Sequence, residues 1–282
     1  MAVRTKTTRI APASREIVTG RVLATERIGP SFVRVTVGGA NVGRIAPMGF
    51  DQWFRMFFPA PGQRSLTLPA TASPQWWPAM RAMPEAVQPI LRNYTIRRYR
   101  EAGTGQYGDT AELDIDFATH GDTGPASRWA RTARPGVELA LLDEGIMYHR
   151  PAEARWQVLV ADESALPAIA GILASSAGRH HAGPTEVFVE VDDAGDVAAQ
   201  EIVPGPGVRL HTVVRPGRHA PPGPHVLEAV RAAALPDGPG YAFLAGESGL
   251  VTSMRRHLVR ERGLAKSAVT FTGYWKFGAA SY

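Results

Sequence analysis

Two stretches of this chain carry side chains able to hold an anion beside a flat ring. In Arg92-Asn93-Tyr94-Thr95, residues Arg92, Tyr94 and Ile96 alternate with Asn93, Thr95 and Arg97, the period of a β-strand. Arg92 and Tyr94 therefore share one face: a planar cation that grips phosphate, next to an aromatic ring. The second stretch, His120-Gly121-Asp122-Thr123-Gly124-Pro125-Ala126-Ser127-Arg128-Trp129, leaves a strand over 113–119 through a Gly-rich turn. Its Gly124-Pro125-Ala126-Ser127 reads as a helix start, with Pro tolerated early and free N–H groups pointing at whatever lies in front. Strand and helix start together suit a pyrophosphate attached to a flat ring system. They suit equally a basic hairpin followed by an ordinary surface helix.

The surrounding pattern says what must position these groups. Residues 16–37 read as a β-hairpin, with Val33, Val35 and Val37 alternating against Arg34 and Thr36 after an Ile28-Gly29-Pro30-Ser31 turn. In Trp53-Phe54-Arg55-Met56-Phe57-Phe58, Phe54, Met56 and Phe58 share a face, so Arg55 points the other way beside Trp53 and Phe57. The Pro- and Ala-rich segment 59–89 reads as an irregular loop with a short helix around Trp76-Trp77. Gly103-Thr104-Gly105-Gln106-Tyr107-Gly108 matches G-x-G-x-x-G, but a strand-like Glu112-Leu113-Asp114-Ile115-Asp116-Phe117 follows it where a dinucleotide fingerprint needs a helix. That match is a hairpin tip and is set aside. Leu113, Ile115 and Phe117 face a core, leaving Asp114 and Asp116 on the other side. Short antiparallel strands of this kind predict a small barrel.

After a strand over 138–142 and a linker-like Arg150-Pro151-Ala152-Glu153-Ala154, the rhythm changes. A buried-type strand over 156–161 precedes Leu166, Ile169, Ala170 and Leu173 at helical spacing, with Asp162 and Ser164 placed to cap. Further strands over 187–191, 208–214, 241–245 and 269–275 alternate with helices over 224–235 and 248–262, the pattern of a mostly parallel sheet. The expected architecture is a two-domain β + α/β chain: an antiparallel barrel over 1–150, then an α/β domain over 151–282.

Composition bounds the function classes. A length of 282 residues suits two ordinary domains. Apolar residues make up 44%, yet no apolar run approaches the roughly 20 residues that span a bilayer. Stable membrane insertion is not expected, and the basic, Thr-rich 1–9 segment reads as a tail because no apolar stretch follows it. With no cysteine there is no disulfide framework, thiol chemistry or iron–sulfur cluster on this chain. The net charge of +5 is supplied mostly by arginine, which favours planar anions. The basic residues are dispersed and no nucleic-acid motif accompanies them, so a small anionic ligand is the economical reading. His180 and His181 would diverge on a helix and the other histidines are isolated, so no protein metal site is expected. The run Arg255-Arg256 to Arg260-Glu261-Arg262 fits a solvated helix face.

Taken together, these motifs resemble a known family. Arg-x-Tyr-Thr at 92–95 resembles the flavin motif of the ferredoxin-reductase superfamily. The His120 to Trp129 run, Ala245-Gly246-Glu247 and Gly273-Tyr274-Trp275-Lys276 are similar to the siderophore-interacting proteins, FAD-containing ferric-siderophore reductases. The resemblance runs from about Glu16 to Gly278. It implies an FAD-binding barrel and an α/β domain of nicotinamide-binding type. Within it, Arg92 would pair with the FAD pyrophosphate, Tyr94 would pack on the isoalloxazine, and Thr95 would approach the reactive edge. His120, Gly124, Ala126 and Ser127 would hold the diphosphate and adenosine half, with Asp116 and Phe117 lining the groove. Lys276, with Arg55 and Arg128, would receive an anionic ferric chelate. Asp162, Glu163 and Glu247 fall at strand ends where a nicotinamide nucleotide would lie; Asp162 fits a plain helix cap as well. Ala161 and Ser164 depart from the family's Gly-Asp-Glu-Thr.

The resemblance implies a cytoplasmic enzyme passing electrons through FAD from NAD(P)H or reduced ferredoxin to a ferric siderophore. Two other readings remain: a flavin-dependent electron-transfer reductase with no siderophore substrate, and a non-catalytic siderophore-binding protein.

Overall fold

A computed structural model describes residues 9–63, 65–70, 75–119, 124–176, 183–217 and 220–279. The chain falls into two compact units, one spanning Ile10–Ile146 and the other built on residues from Met147 onward.

The first unit is a seven-stranded sheet, paired antiparallel throughout, in the order β4-β3-β7-β1-β2-β6-β5. Its strands are β1 (Ile17–Arg27), β2 (Phe32–Gly38), β3 (Trp53–Phe58), β4 (Ile90–Thr95), β5 (Arg98–Arg100), β6 (Glu112–Ala118) and β7 (Glu138–Gly145). The inward alternation expected for β3 and β6 is met: Phe54, Met56, Phe58, Leu113, Ile115 and Phe117 join one core, with Val35, Val37, Leu139 and Leu141 from other strands. Each such side chain contributes roughly 1.5–3 kcal/mol through its removal from water.

The outer face of β3 is not left to solvent. Phe57 packs with Trp76, Met80, Ala140 and Leu142, beneath the helix α1 (Trp76–Arg81) of the Pro-rich segment. That segment therefore covers the sheet's second face and lets Phe57 be buried on the side where Arg55 also lies. The set-aside Gly103–Gly108 stretch joins β5 to β6, which pair antiparallel, as a hairpin tip must. A second helix, α2 (Pro125–Thr132), packs on β2 and β6 through Ala126, Ala130 and Trp129.

The second unit is a five-stranded parallel sheet of order β10-β9-β8-β11-β12. It comprises β8 (Trp156–Asp162), β9 (Thr185–Val191), β10 (Val208–Val214), β11 (Gly240–Glu247) and β12 (Val269–Trp275). The helices are α3 (Leu166–Ser176), α4 (Ala194–Ala199), α5 (Pro224–Ala232) and α6 (Ser248–Arg260). The central strands are apolar on both faces, as a sheet sandwiched by helices requires. Helix α4, absent from the sequence reading, is six residues long, too short to declare a helical period. It starts where Asp193 accepts from the Gly195 N–H at 2.8 Å. The strand order reverses between β8 and β11, the switch point at which open α/β sheets bind ligands beyond their carboxyl ends.

Candidate functional site

In the barrel unit the two expected pieces do come together. Strand β4 is an edge strand, and its Ile90, Arg92 and Tyr94 pair with Phe58, Met56 and Phe54, which places all three on the core-facing side. The half-buried Tyr94 ring stands 4.2 Å from that of Phe117 on β6, and Phe117 lies 5.7 Å from Trp129 of α2. Trp129 also meets Phe58, at 5.3 Å. Three aromatic rings thus floor the gap between β4 and α2. Burial pushes the Tyr94 phenol well above its usual range, against the pull of the nearby Arg92 charge. Arg92 is lowered by burial, with Tyr94 opposing, and its Nη1 donates to the Leu91 carbonyl at 2.7 Å.

Helix α2 opens at Gly124 with Pro125 in its first turn, and among the described residues no side chain caps its start. Its leading N–H groups, those of Ala126 and Ser127, are thereby left to whatever anion approaches. Ser127 Oγ lies 3.5 Å from the Ala118 carbonyl, at the end of β6. A cavity of about 610 Å³ adjoins this helix, walled by Phe58, Ile90, Pro125, Arg128, Trp129 and the Pro59–Leu66 loop. Tyr94, Arg92 and Ile90 step along one face at two-residue intervals, so they lay out a path of about 13 Å from ring to cavity. The path runs aromatic, cationic, then apolar.

Several expected residues are placed differently. Thr95 pairs with Trp53, so its buried side chain lies on the face opposite Tyr94, and only its backbone could reach the aromatic path. Asp116 is buried under a bidentate Arg34 contact, at 2.7 and 2.8 Å, with Arg97 at 3.9 Å. Its carboxylate closes a cross-strand pair on the side away from Phe117. Phe117 is fully buried and reaches the path only as the support under Tyr94. His120 lies outside the described residues. Arg128 walls the cavity beside α2. Arg55 donates from Nε to Glu144 Oε1 at 2.7 Å, its guanidinium 4.9 Å from the Trp76 ring and 5.5 Å from Trp53. Arg15 donates to the same Glu144 oxygen at 2.6 Å. Glu144, which neutralises both cations, was missed in the sequence reading because nothing local marks it.

In the α/β unit the three acidic residues meet at the switch point, but with their oxygens turned inward. Asp162 Oδ1 accepts from the Ser164 N–H at 2.9 Å and from its hydroxyl at 2.5 Å; Oδ2 accepts from the Glu247 N–H at 2.6 Å and Trp275 Nε1 at 2.9 Å. Burial, reinforced by the Glu163 carboxylate, pushes Asp162 up to about 7 in spite of these four donors. Glu163 receives a forked contact from Arg215, at 2.6 and 2.9 Å, while Arg215 also holds Asp192. Glu247 Oε2 caps α6 through the Gly249 and Leu250 N–H groups, and its Oε1 accepts from the Phe277 N–H at 3.1 Å. Glu190 Oε2 likewise accepts from the Gly223 and Val226 N–H groups at the start of α5. The helix N-termini where a dinucleotide diphosphate would be sought are occupied by the chain's own carboxylates. In this structure the three acidic residues serve as internal fasteners at the switch point. Lys276, just beyond β12, is exposed, and its ammonium has no hydrogen-bond or ion-pair partner among the described residues. Among the described residues, no helix is long and apolar enough to cross a membrane.

Comparison with known proteins bears on both units. The model of a siderophore-interacting FAD-binding domain matches residues 21–146, and that of the siderophore-interacting protein matches residues 154–278. A protein of Mycobacterium tuberculosis without an assigned activity is 32% identical, the match covering 94% of this chain and 92% of that one. The ferric vibriobactin reductase ViuB of Vibrio cholerae is 29% identical over 254 residues, covering 89% of this chain and 86% of its own. The crystal structure of a siderophore utilization protein from T. fusca superimposes with a TM-score of 0.78 at 30% identity, over 97% of this chain and 98% of that one.

Proposed function

As a member of the siderophore-interacting protein family, with its siderophore-interacting FAD-binding domain, this chain is, we propose, a ferric-siderophore reductase that uses FAD. The observation that carries the reading is the run of Tyr94, Arg92 and the uncapped start of α2, in that order, beside the 610 Å³ cavity. These residues fit FAD as a flat ring, a diphosphate and an adenosine would require. Tyr94 would bear the ring, supported from below by Phe117 and Trp129. Arg92 and the Ala126 and Ser127 N–H groups would hold the diphosphate. The cavity walled by Ile90, Phe58 and Arg128 would take the adenosine end. When bound, FAD supplies the conversion of a two-electron donor into one-electron deliveries.

The substrate chemistry then needs little of the protein. A siderophore's hard anionic oxygens hold Fe(III) far more tightly than Fe(II), so one electron accepted by the iron loosens the metal. No proton need be moved at a protein atom. The chain's part is to seat the ring, exclude water beneath it and offer a cation to an anionic chelate. NAD(P)H or reduced ferredoxin would be the electron donor, which places the reaction in the cytoplasm. Lys276 remains the proposed docking cation, while Arg55 and Arg128 are better read as serving Glu144 and the cavity.

The experiment is anaerobic turnover of several ferric siderophores by the FAD-loaded protein, with NADH, NADPH and reduced ferredoxin compared. Iron(II) release with any donor supports the reading. A protein that oxidises the donor but leaves every ferric siderophore intact is an electron-transfer reductase of another kind. One that binds ferric siderophores without bleaching a flavin is a passive binder.

A further inference from the structure

Lys276 has an ordinary side chain on an unusually constrained stretch of main chain. It follows β12, an edge strand of the parallel sheet, where backbone ends fray unless tied. Here both neighbours are tied by side chains. On one side, Trp275 donates its indole N–H to Asp162 Oδ2 at 2.9 Å, while its carbonyl accepts from Ser248 Oγ at 2.8 Å. On the other, the Phe277 N–H donates to Glu247 Oε1 at 3.1 Å. The anchors are themselves held. Asp162 accepts from the Glu247 N–H, and the second Glu247 oxygen caps α6.

Glycine makes the close approach possible at two points. A Cβ on Gly273 would stand 2.6 Å from Ser248 Oγ, and one on Gly246, at φ +133°, would stand 2.7 Å from the Asp162 carboxyl carbon. Capping α6 needs only one Glu247 oxygen, and the Trp275 ring could pack without its N–H being matched. Yet three side chains spend polar atoms on residues 275 and 277, the two that flank an exposed ammonium with no partner among the described residues.

We propose that Asp162, Ser248 and Glu247 are positioning residues that hold the main chain on both sides of Lys276, so that its ammonium is presented to an anionic ferric chelate. This rests on the reading of the protein as a ferric-siderophore reductase or binder. A lysine loses side-chain freedom when it docks. A frayed strand end would add backbone freedom to that loss, and a fastened one does not. The fasteners thus act on docking through Lys276 and do not touch the chelate.

The test uses the full-length, FAD-loaded chain in five forms: wild type, Trp275→Phe, Ser248→Ala, Lys276→Ala and the Lys276→Ala/Trp275→Phe double variant. Each is titrated with an anionic ferric tris(catecholate) and a neutral ferric tris(hydroxamate), reading both Kd by fluorescence quenching and steady-state KM and kcat. The expected result is a roughly fivefold loss of affinity for the anionic complex in Trp275→Phe, the effect of one hydrogen bond. It should appear in Kd and KM more than in kcat, and should be small for the neutral complex. In the Lys276→Ala background, Trp275→Phe should then cost nothing further, because both changes remove one interaction. Additive losses in the double variant, or equal losses on both complexes, overturn the proposal and leave the contacts a purely structural role. If the wild type binds the anionic complex without reducing it, the reductase reading fails while the Kd cycle still judges the positioning residues. Absence of both binding and turnover in the wild type removes both.

Discussion

The Tyr94 ring lies 4.2 Å from that of Phe117, centroid to centroid, and the two planes are tilted by 47°. The contact joins the edge strand β4 to β6, with Trp129 of α2 beneath. The two rings differ in burial: Phe117 is fully buried, and Tyr94 is only partly so. Phe117→Ala should therefore cost about 3–5 kcal/mol of barrel stability, the range for a buried aromatic truncated to Ala. Thermal unfolding of the flavin-free protein measures it. A loss under 1 kcal/mol would mean that the floor is not packed as described.

Arg92→Ala should weaken FAD binding by about ten- to a hundredfold, the worth of a charge-assisted contact. Flavin affinity should fall by more than the melting temperature of the flavin-free protein, in which Arg92 donates to the Leu91 carbonyl of its own strand. Flavin titration and calorimetry report the two quantities separately. Mass spectrometry of the bound flavin should find FAD; FMN alone would contradict the adenosine role given to the cavity.

Arg55 and Lys276 should part company when neutralised. Arg55→Ala leaves the Glu144 side chain, 1% exposed, with one fewer donor, which should cost about 1–3 kcal/mol of stability. Lys276→Ala should leave the melting temperature alone and raise KM for an anionic ferric complex. That rise should shrink between low and high salt, because exposed charges act over about 10 Å or less near physiological ionic strength. Calorimetry and kinetics at two salt concentrations separate the pair. A stable Arg55→Ala protein with a raised KM would return Arg55 to substrate docking.

Arg215 should be the most costly single cation to remove. Its side chain is 2% exposed, between Glu163 and Asp192, so Arg215→Ala strands two buried carboxylates. Breaking such a set costs about 3–5 kcal/mol. Lysine should recover only part of it, because a point charge cannot fork to both Glu163 oxygens. Urea unfolding of both variants is the measurement, and an Arg215→Lys protein as stable as wild type would contradict the forked geometry.

Asp162 gives the α/β unit a pH dependence of unusual sign. Its folded pKa, raised to about 7 by burial and by Glu163, exceeds the value near 4 of an unfolded aspartate. Between those values the folded chain holds a proton that the unfolded chain has released, so stability from this group is full below about pH 4 and is lost as pH rises through about 7. Glu112, lowered by the Tyr107 N–H and by Arg100, and Asp114 and Glu186, lowered beside arginines, contribute in the opposite direction and lose their stabilisation in acid. The difference between wild type and Asp162→Asn isolates the first effect: the gap in melting temperature should favour wild type more at pH 5 than at pH 8. Carbon-detected NMR titration of the Asp162 carboxyl supplies the same midpoint should the variant not fold. A midpoint below 5 would refute the assignment.

Local chemistry made much of this protein legible from its sequence. Alternation put Arg92 with Tyr94 and Phe117 with Leu113; Gly124-Pro125 announced a helix; a following strand disqualified the Gly103–Gly108 match. The change of rhythm after residue 150 announced a parallel sheet. Each of those inferences spans a few residues, the range over which backbone geometry fixes side-chain direction. What the tertiary structure decided are pairings between distant residues. Asp162 and Trp275 lie 113 residues apart, Arg55 and Glu144 89, and Arg215 and Glu163 52. In the sequence, Asp162, Glu163 and Glu247 are acids at strand ends, as a nucleotide site would have them. Only when β8, β11 and β12 lie side by side do the Glu247 N–H and the Trp275 indole reach Asp162 and the Phe277 N–H reach Glu247, while Arg215, beyond β10, turns Glu163 inward. Short stretches supply only the caps, Ser164 to Asp162 and Gly249 with Leu250 to Glu247; a buried carboxylate's remaining oxygens must also be met, because leaving them unmet costs more than any one pair returns, and which distant donors meet them is a property of the packed sheet.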